Sequence, residues 1–180
     1  MIAFQVQWFA CILGAARGFA WVGLTFGLAW ICIHIWALRG ERGRELATVG
    51  FAFGFGLVAE TVLASAGLLQ MEGNYRLGTT AGALLVGPPL WLPVLWAGLG
   101  ATMNHSLGWL AGRYRLATVM GAIAGPFAYA SAEHLGAVQI DGMNGLLGVA
   151  VAYALATPAM LAVASWATRG TSVLTEEAAR

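Results

Sequence analysis

Between Arg76 and Arg113 the chain carries no acidic residue, lysine or arginine, and between Arg17 and Arg39 it carries none either. From Leu46 to Gln70 the only charged side chain is Glu60. Apolar runs of about 20 residues are what a hydrocarbon core of about 30 Å requires. Inside that slab every backbone amide needs an internal partner, so each run should be helical. A membrane β-barrel is excluded, because apolar residues here are continuous rather than alternating. Charged residues make up 9% of the 180, against about a quarter in a soluble domain, too few to coat a globule in water. The expected fold is all-α: a polytopic transmembrane helix bundle forming a single integral membrane domain over residues 1–180.

Charges divide the runs. Residues 2–38 contain only Arg17 and would form a helix of about 55 Å, too long for one crossing. They split at Arg17-Gly18 into a short first helix and a full second one over about 18–38. A polar turn at 39–45 leads into a third helix, about 46–69, and a loop at 70–76 follows. Residues 77–112 are again too long for one span. Pro88-Pro89 breaks them, because proline lacks an amide and disfavours helix in the residue before it. Residues 77–87 are then interfacial or re-entrant, and 89–111 form the fourth helix. The fifth covers about 116–135 and the sixth about 145–168, with 168–180 as a short cytoplasmic tail.

Six spans put Arg39, Arg42, Arg44, Arg113, Arg115, Arg169 and Arg180 on one side, with Arg17 and Arg76 on the other. The positive-inside rule makes the arginine-rich side cytoplasmic, giving N-in/C-in topology. Five crossings remain if the first helix is re-entrant, and the N-terminus then flips. Trp21, Trp91, Trp36, Trp109 and Trp166 sit at helix ends, as in an interfacial aromatic belt, while Trp8, Trp30 and Trp96 lie deeper. The N-terminus lacks the basic n-region of a cleavable signal. For the same reason Trp8-Phe9-Ala10-Cys11, although faintly like a lipoprotein box, is not expected to be lipidated. Net charge of +1 gives no basis for nucleic-acid binding. Cys11 and Cys32 fall within apolar runs, so no disulfide is expected.

Ionisable groups within membrane helices are costly and need a partner, a cavity or an exit to the interface. Glu60 shares a helical face with Phe53, Gly56, Ala64 and Gly67, and small residues there imply a closely pressed neighbour. It reads as a proton-exchanging site or a protonated structural hydrogen-bonder. The fourth helix carries the densest polar patch, Thr102, Asn104, His105 and Ser106, either interhelical glue or a substrate or proton site. On the fifth helix a kink is expected at Gly125-Pro126, with Tyr129 and Glu133 four residues apart on one face. Arg17 is expected to pair with Glu133 or Glu60. His34 reaches the interface by snorkelling, and His34 with His105 could clamp a haem from two helices. Five glycine pairs with four-residue spacing (14/18, 23/27, 50/54, 108/112 and 121/125) indicate a tight bundle. A weak internal repeat aligns residues 44–49 with 114–119, making the second and third helices one copy of a hairpin and the fourth and fifth another. No phosphate loop, zinc-ligand spacing or nucleophile elbow is present, so no catalytic residue, metal or cofactor is assigned.

The runs Trp8-Phe9-Ala10-Cys11, Gly14-Ala15-Ala16, Trp21-Val22-Gly23, Pro89-Leu90-Trp91, Leu95-Trp96, Thr102-Met103-Asn104-His105-Ser106-Leu107 and Gly125-Pro126-Phe127-Ala128-Tyr129 together resemble an uncharacterised family of small bacterial inner-membrane proteins, a domain of unknown function. The resemblance covers most of the chain and is most specific around Asn104-His105-Ser106. It implies a multi-pass protein of the bacterial inner membrane, often encoded near fatty-acyl-modifying enzymes. It also implies an acid, commonly aspartate, at the place of Glu60 and often histidine at that of Arg17, which weakens any catalytic role for Arg17.

Three functions follow. The first is a small carrier or permease for a lipophilic or weakly acidic compound in a membrane-lipid context, using Glu60 and His105. The second is a non-catalytic subunit of a larger membrane complex, and the third an intramembrane lipid-modifying enzyme. Membrane lipids are expected partners, with a membrane-protein partner or a second copy of the chain in the subunit case.

Overall fold

A computed structural model describes residues 1–38, 40–71, 75–78 and 84–178, with side chains described except at 75–78, 84–85 and 168–178. Arg39, residues 72–74 of the loop, residues 79–83 of the interfacial piece and Arg180 lie outside the described residues, as does the side chain of Arg169. Among the described residues there are six α-helices: α1 (Ile2–Ala16), α2 (Ala20–Ala37), α3 (Arg42–Ser65), α4 (Trp91–Met103), α5 (Tyr114–His134) and α6 (Gly142–Ala178). Two antiparallel strand pairs accompany them, β1 (Leu69–Met71) with β4 (Val138–Ile140), and β2 (Tyr75–Gly78) with β3 (Leu84–Gly87).

The helices α2 and α3, with Gly142–Ala167 of α6, are long and apolar enough to cross a membrane; α1 and α4 are apolar but shorter. Polarity is distributed as lipid demands. Ile33, Val58, Val62, Phe127, Val151 and Leu155 are exposed on the outside, while Gln7, Glu45, Thr48, Glu60, Thr102 and Thr157 are buried. An apolar exterior of this extent suits a membrane protein. At the centre stands α4, buried at every position but Leu99, against α1, α2, α3 and α6. Because α4 is wrapped by other helices, its length need not match the bilayer.

Helix directions alternate. Met1 bonds Ser106 beyond the end of α4, and His34 near the end of α2 meets Glu45 near the start of α3. One end of the bundle therefore gathers Met1, His34, Glu45, Ser106 and Arg113. The other holds the ends of α1, α3 and α5 and the paired strands β1 and β4.

Several boundaries differ from the sequence reading. The third helix begins at Arg42 rather than 46, and it ends at Ser65 rather than 69. Gly67 at φ +74° closes it, with Gly67 N–H on Ala64 C=O and Leu68 N–H on Leu63 C=O. That left-handed cap satisfies the last carbonyls and costs a residue without Cβ little. The loop at 70–76 and the interfacial piece at 77–87 contain strands, too short to leave a periodic signature. Helix α4 stops at Met103, not 111, and a turn and one 3-10 turn (Gly108–Leu110) follow. Helix α6 ends at Ala178 rather than 168, so residues 168–178 are helical. Trp91 is buried rather than interfacial, whereas Trp21, Trp36, Trp109 and Trp166 are exposed.

Local features do recur along the chain, but over a different unit from the hairpin expected. Gly136 ends α5 as Gly67 ends α3, with the same two hydrogen bonds, and each glycine leads into one strand of the β1–β4 pair. The central partners of that pair, Gln70 and Gln139, stand three residues beyond the two glycines. Gly56 packs under the Trp96 ring of α4, and Gly125, at the matching place in α5, packs under the Tyr153 ring of α6. The two copies are thus α3–β1–α4 and α5–β4–α6, each helix paired with the one after it, and the sequence alignment shifts by one residue. Both copies run in the same direction.

Candidate functional site

Glu60 lies on the buried stripe of α3 formed by Glu45, Thr48, Val49, Ala52, Gly56 and Glu60, spaced at three and four residues. Gly56, one turn earlier, lets α4 come close enough for Trp96 to lie over it. Trp96 Nε1–H then donates to Glu60 Oε1 at 3.0 Å, and the Tyr129 hydroxyl from α5 donates to the same oxygen. Glu60 is fully buried, and its Oε2 has no partner among the described residues. Tyr153 from α6 completes the group, with its ring centroid 4.5 Å from Trp96 and 6.1 Å from Tyr129.

These four side chains come from all four helices of the two repeats. Glu60 and Tyr129 each stand two turns before the glycine that ends their helix, and Trp96 and Tyr153 cover equivalent glycines. The cluster therefore joins the two copies, with an acid and a phenol at one pair of matching positions and an indole and a phenol at the other. Glu60 is nearer the strand end of α3 than its middle, because the helix starts and stops earlier than the sequence suggested.

A cleft of about 470 Å³ opens from the side of the bundle among α1, α4, α5 and α6. Phe4, Trp8, Phe9 and Phe127 line it, and Trp96 and Tyr153 are among its walls. Its volume is in the range of small-molecule sites. Clefts of similar size between α1 and α2 and between α3 and α6 touch no member of the Glu60 cluster.

Of the expected polar patch only Thr102 lies within α4. Because α4 ends at Met103, Asn104, His105 and Ser106 lie in the turn beyond it. Thr102 donates to Leu99 C=O at 2.7 Å, Asn104 to Thr48 at 3.3 Å, and Ser106 accepts from the Met1 amino group at 3.1 Å. Tyr129 and Glu133 part company: Tyr129 goes to Glu60, while exposed Glu133 accepts the Ile140 N–H at 2.8 Å. Arg17 is exposed and forms no ion pair with Glu60 or Glu133 among the described residues. Its backbone caps α1 instead.

Two buried groups escaped the sequence reading. Gln7 of α1 donates to Val94 C=O at 2.9 Å and accepts Trp30 Nε1–H at 2.7 Å, tying α1, α2 and α4 together. Glu45 belongs to the charged stretch 39–45, but with α3 starting at Arg42 it falls on the buried stripe. Extending the spacing of Gly56 and Glu60 backwards through Ala52 and Val49 would have reached it. His34 Nε2 lies 3.3 Å from Glu45 Oε2 and His105 Nε2 lies 2.9 Å from Glu45 Oε1. His34 thus turns inward to an acid. The two imidazole rings are edge to face at 5.1 Å with both Nε2 atoms on the carboxylate, which leaves no slot between them for a haem.

The family described as Protein of unknown function (DUF2878) matches residues 1–159, and the chain belongs to it. This agrees with the resemblance to an uncharacterised family. Neither the curated proteins nor the solved structures include a match to the chain.

Proposed function

We propose that the chain is a small carrier of the bacterial inner membrane, crossing it six times with both ends on the cytoplasmic, arginine-bearing side. Its substrate is a lipophilic compound with one weakly acidic or hydrogen-bonding group. The observation that carries this reading is the position of Glu60. It stands at the interface of two parallel repeats, one carboxyl oxygen held by Trp96 and Tyr129 and the other unpartnered. Repeat interfaces are where carriers of this type place substrate and coupling-ion sites. A buried polar atom without a partner is costly unless something engages it.

The cleft supplies the route. An apolar compound enters sideways from the lipid between Phe4, Trp8 and Phe127 and rests on Trp96 and Tyr153, which flank Glu60. The alternation of helix directions supports the six crossings, and so does the placement of Arg42, Arg44, Arg113 and Arg115 at one end with Arg17 at the other.

Native mass spectrometry of gently solubilised full-length protein tests the reading. Wild type should retain a lipophilic molecule at fixed stoichiometry. Ala128→Phe, which fills the cleft, should lose it, and Glu60→Gln should hold it less tightly. A bound mass unchanged in both variants would sink the proposal. A mass showing a stoichiometric partner protein and no small molecule would put the subunit reading in its place.

A further inference from the structure

The arginine-bearing end of the bundle holds a second cluster, separate from the cleft and independent of the carrier reading. We infer that His34, Glu45 and His105 form a binding site for a divalent first-row metal ion of the zinc or iron(II) class.

The geometry comes from three segments that meet only in the fold. His34 is in the last turn of α2, Glu45 in the first turn of α3, and His105 in the turn after α4. One ligand atom from each lies within 4.8 Å of the other two. Donors bound at about 2.0–2.1 Å around a tetrahedral ion stand roughly 3.3 Å apart. The two His–Glu contacts, 3.3 Å to Oε2 and 2.9 Å to Oε1, are within a few tenths of an ångström of that spacing, and the third separation is under 4.8 Å, so a rotation of the carboxylate and a small shift of the rings would seat an ion. Two imidazoles and a carboxylate are the donor set that zinc and non-haem iron share.

The charges point the same way. Glu45 is fully buried, and a buried carboxylate needs a positive partner. The neighbouring described arginines are engaged elsewhere. Arg42 donates to the carbonyls of Ile35 and Trp36, and Arg44 pairs with Glu41. Among the described residues only the two imidazoles reach Glu45, each through Nε2. The cluster is also held in place. Trp30 lies edge-on to His34 and is tethered to Gln7, while Asn104, beside His105, is bonded to Thr48.

Both histidines are partly exposed, with side-chain accessibilities of 21% and 36%. An ion can therefore enter from the aqueous side. Three protein donors leave a tetrahedral ion one open position, for water or an anionic group.

The test uses full-length protein in mild detergent, stripped with chelator and reloaded with Zn²⁺ or Co²⁺. Wild type should retain one ion per chain after desalting. The Co²⁺ form should show visible absorption of a low-coordinate nitrogen and oxygen site. Glu45→Gln and His105→Ala should each weaken binding at least a hundredfold, while His134→Ala, at the far end of α5, should leave it unchanged. Should Glu45→Gln fail to fold, the wild-type stoichiometry and Co²⁺ spectrum still decide. Wild type that retains no stoichiometric ion and gives no Co²⁺ band would overturn the inference and leave a His–Glu–His hydrogen-bonded network. Undiminished binding in folded Glu45→Gln would overturn it equally.

Discussion

Tyr129 donates its hydroxyl to Glu60 from the place in α5 that Glu60 itself occupies in α3. The bond joins the two repeats, so it reports on how tightly they are held together. Hydrogen bonds to charged groups contribute about 1.5–3 kcal/mol in soluble proteins, but side-chain bonds within membrane bundles average about 0.6 kcal/mol. Burial of both partners favours the upper part of the membrane range. Tyr129→Phe should therefore lower stability by about 1–2 kcal/mol in detergent unfolding. In a double-mutant cycle with Glu60→Gln the two losses should be non-additive. Additive losses would mean that the repeats are not coupled through this bond.

Gly56 and Gly125 make the same prediction twice. A Cβ at Gly56 would stand 2.2 Å from Trp96 Cγ, and one at Gly125 2.5 Å from Tyr153 Cγ. A helical glycine replaced by alanine gains about 0.8–1 kcal/mol of propensity, whereas overpacking a core costs about 1–3 kcal/mol. The clash wins at both sites. Gly56→Ala and Gly125→Ala should each destabilise and should shift the Trp96 fluorescence. Gly50→Ala and Gly54→Ala meet nothing within 4 Å and should be neutral or stabilising. Thermal melts of the four variants decide. Equal melting points across the set would contradict the packing described.

The long apolar helices and the inward burial of Glu60 were legible in the sequence, because charge is so scarce that an acid within an apolar run stands out. Of the five glycine pairs, 23/27 and 121/125 do lie at close helix contacts, while 50/54 faces open space. Spacing alone cannot tell a face turned to lipid from one turned to a helix. Glu45 was hidden for a different reason. It sits among Glu41, Arg42 and Arg44, and a cluster of charges reads as a turn unless the helix start is known. His34 and His105 lie far apart in the chain, so no local spacing brings them to a common acid. The strand pair escaped because three residues are too few to show alternation.

Six crossings with the arginines inside predict a labelling pattern. In a Cys11→Ala, Cys32→Ser background, single cysteines at Glu41 and Arg113 belong to one end of the bundle, and those at Arg17 and Gln139 to the other. An impermeant maleimide applied to intact cells should label only Arg17→Cys and Gln139→Cys. Ile2→Cys separates six spans from five, since it should stay protected as Arg113→Cys does. Labelling of Ile2→Cys from outside would mean that α1 is re-entrant.

Gln7 is the polar residue whose removal should be least tolerated for its size. Its amide group satisfies two buried partners at once, the Val94 carbonyl and the Trp30 indole N–H. It also fills the gap opposite two glycines: a Cβ at Gly98 would lie 2.0 Å from Gln7 Oε1, and one at Gly27 2.5 Å from Gln7 Nε2. Gln7→Leu has similar bulk but leaves the carbonyl and the indole N–H unpaired, at about 1–3 kcal/mol each. Gln7→Glu keeps the acceptor for Trp30 in either state but offers Val94 a donor only as the neutral acid, so it should fall between Leu and wild type only if its acid is neutral. Because Trp30 is edge-on to His34, Gln7→Leu should also loosen His34 and reduce Co²⁺ affinity at Glu45 without touching a ligand. Unfolding and Co²⁺ titration on the same three proteins would check both effects. A Gln7→Leu protein as stable as wild type would show that this node does not hold α1 to α2 and α4.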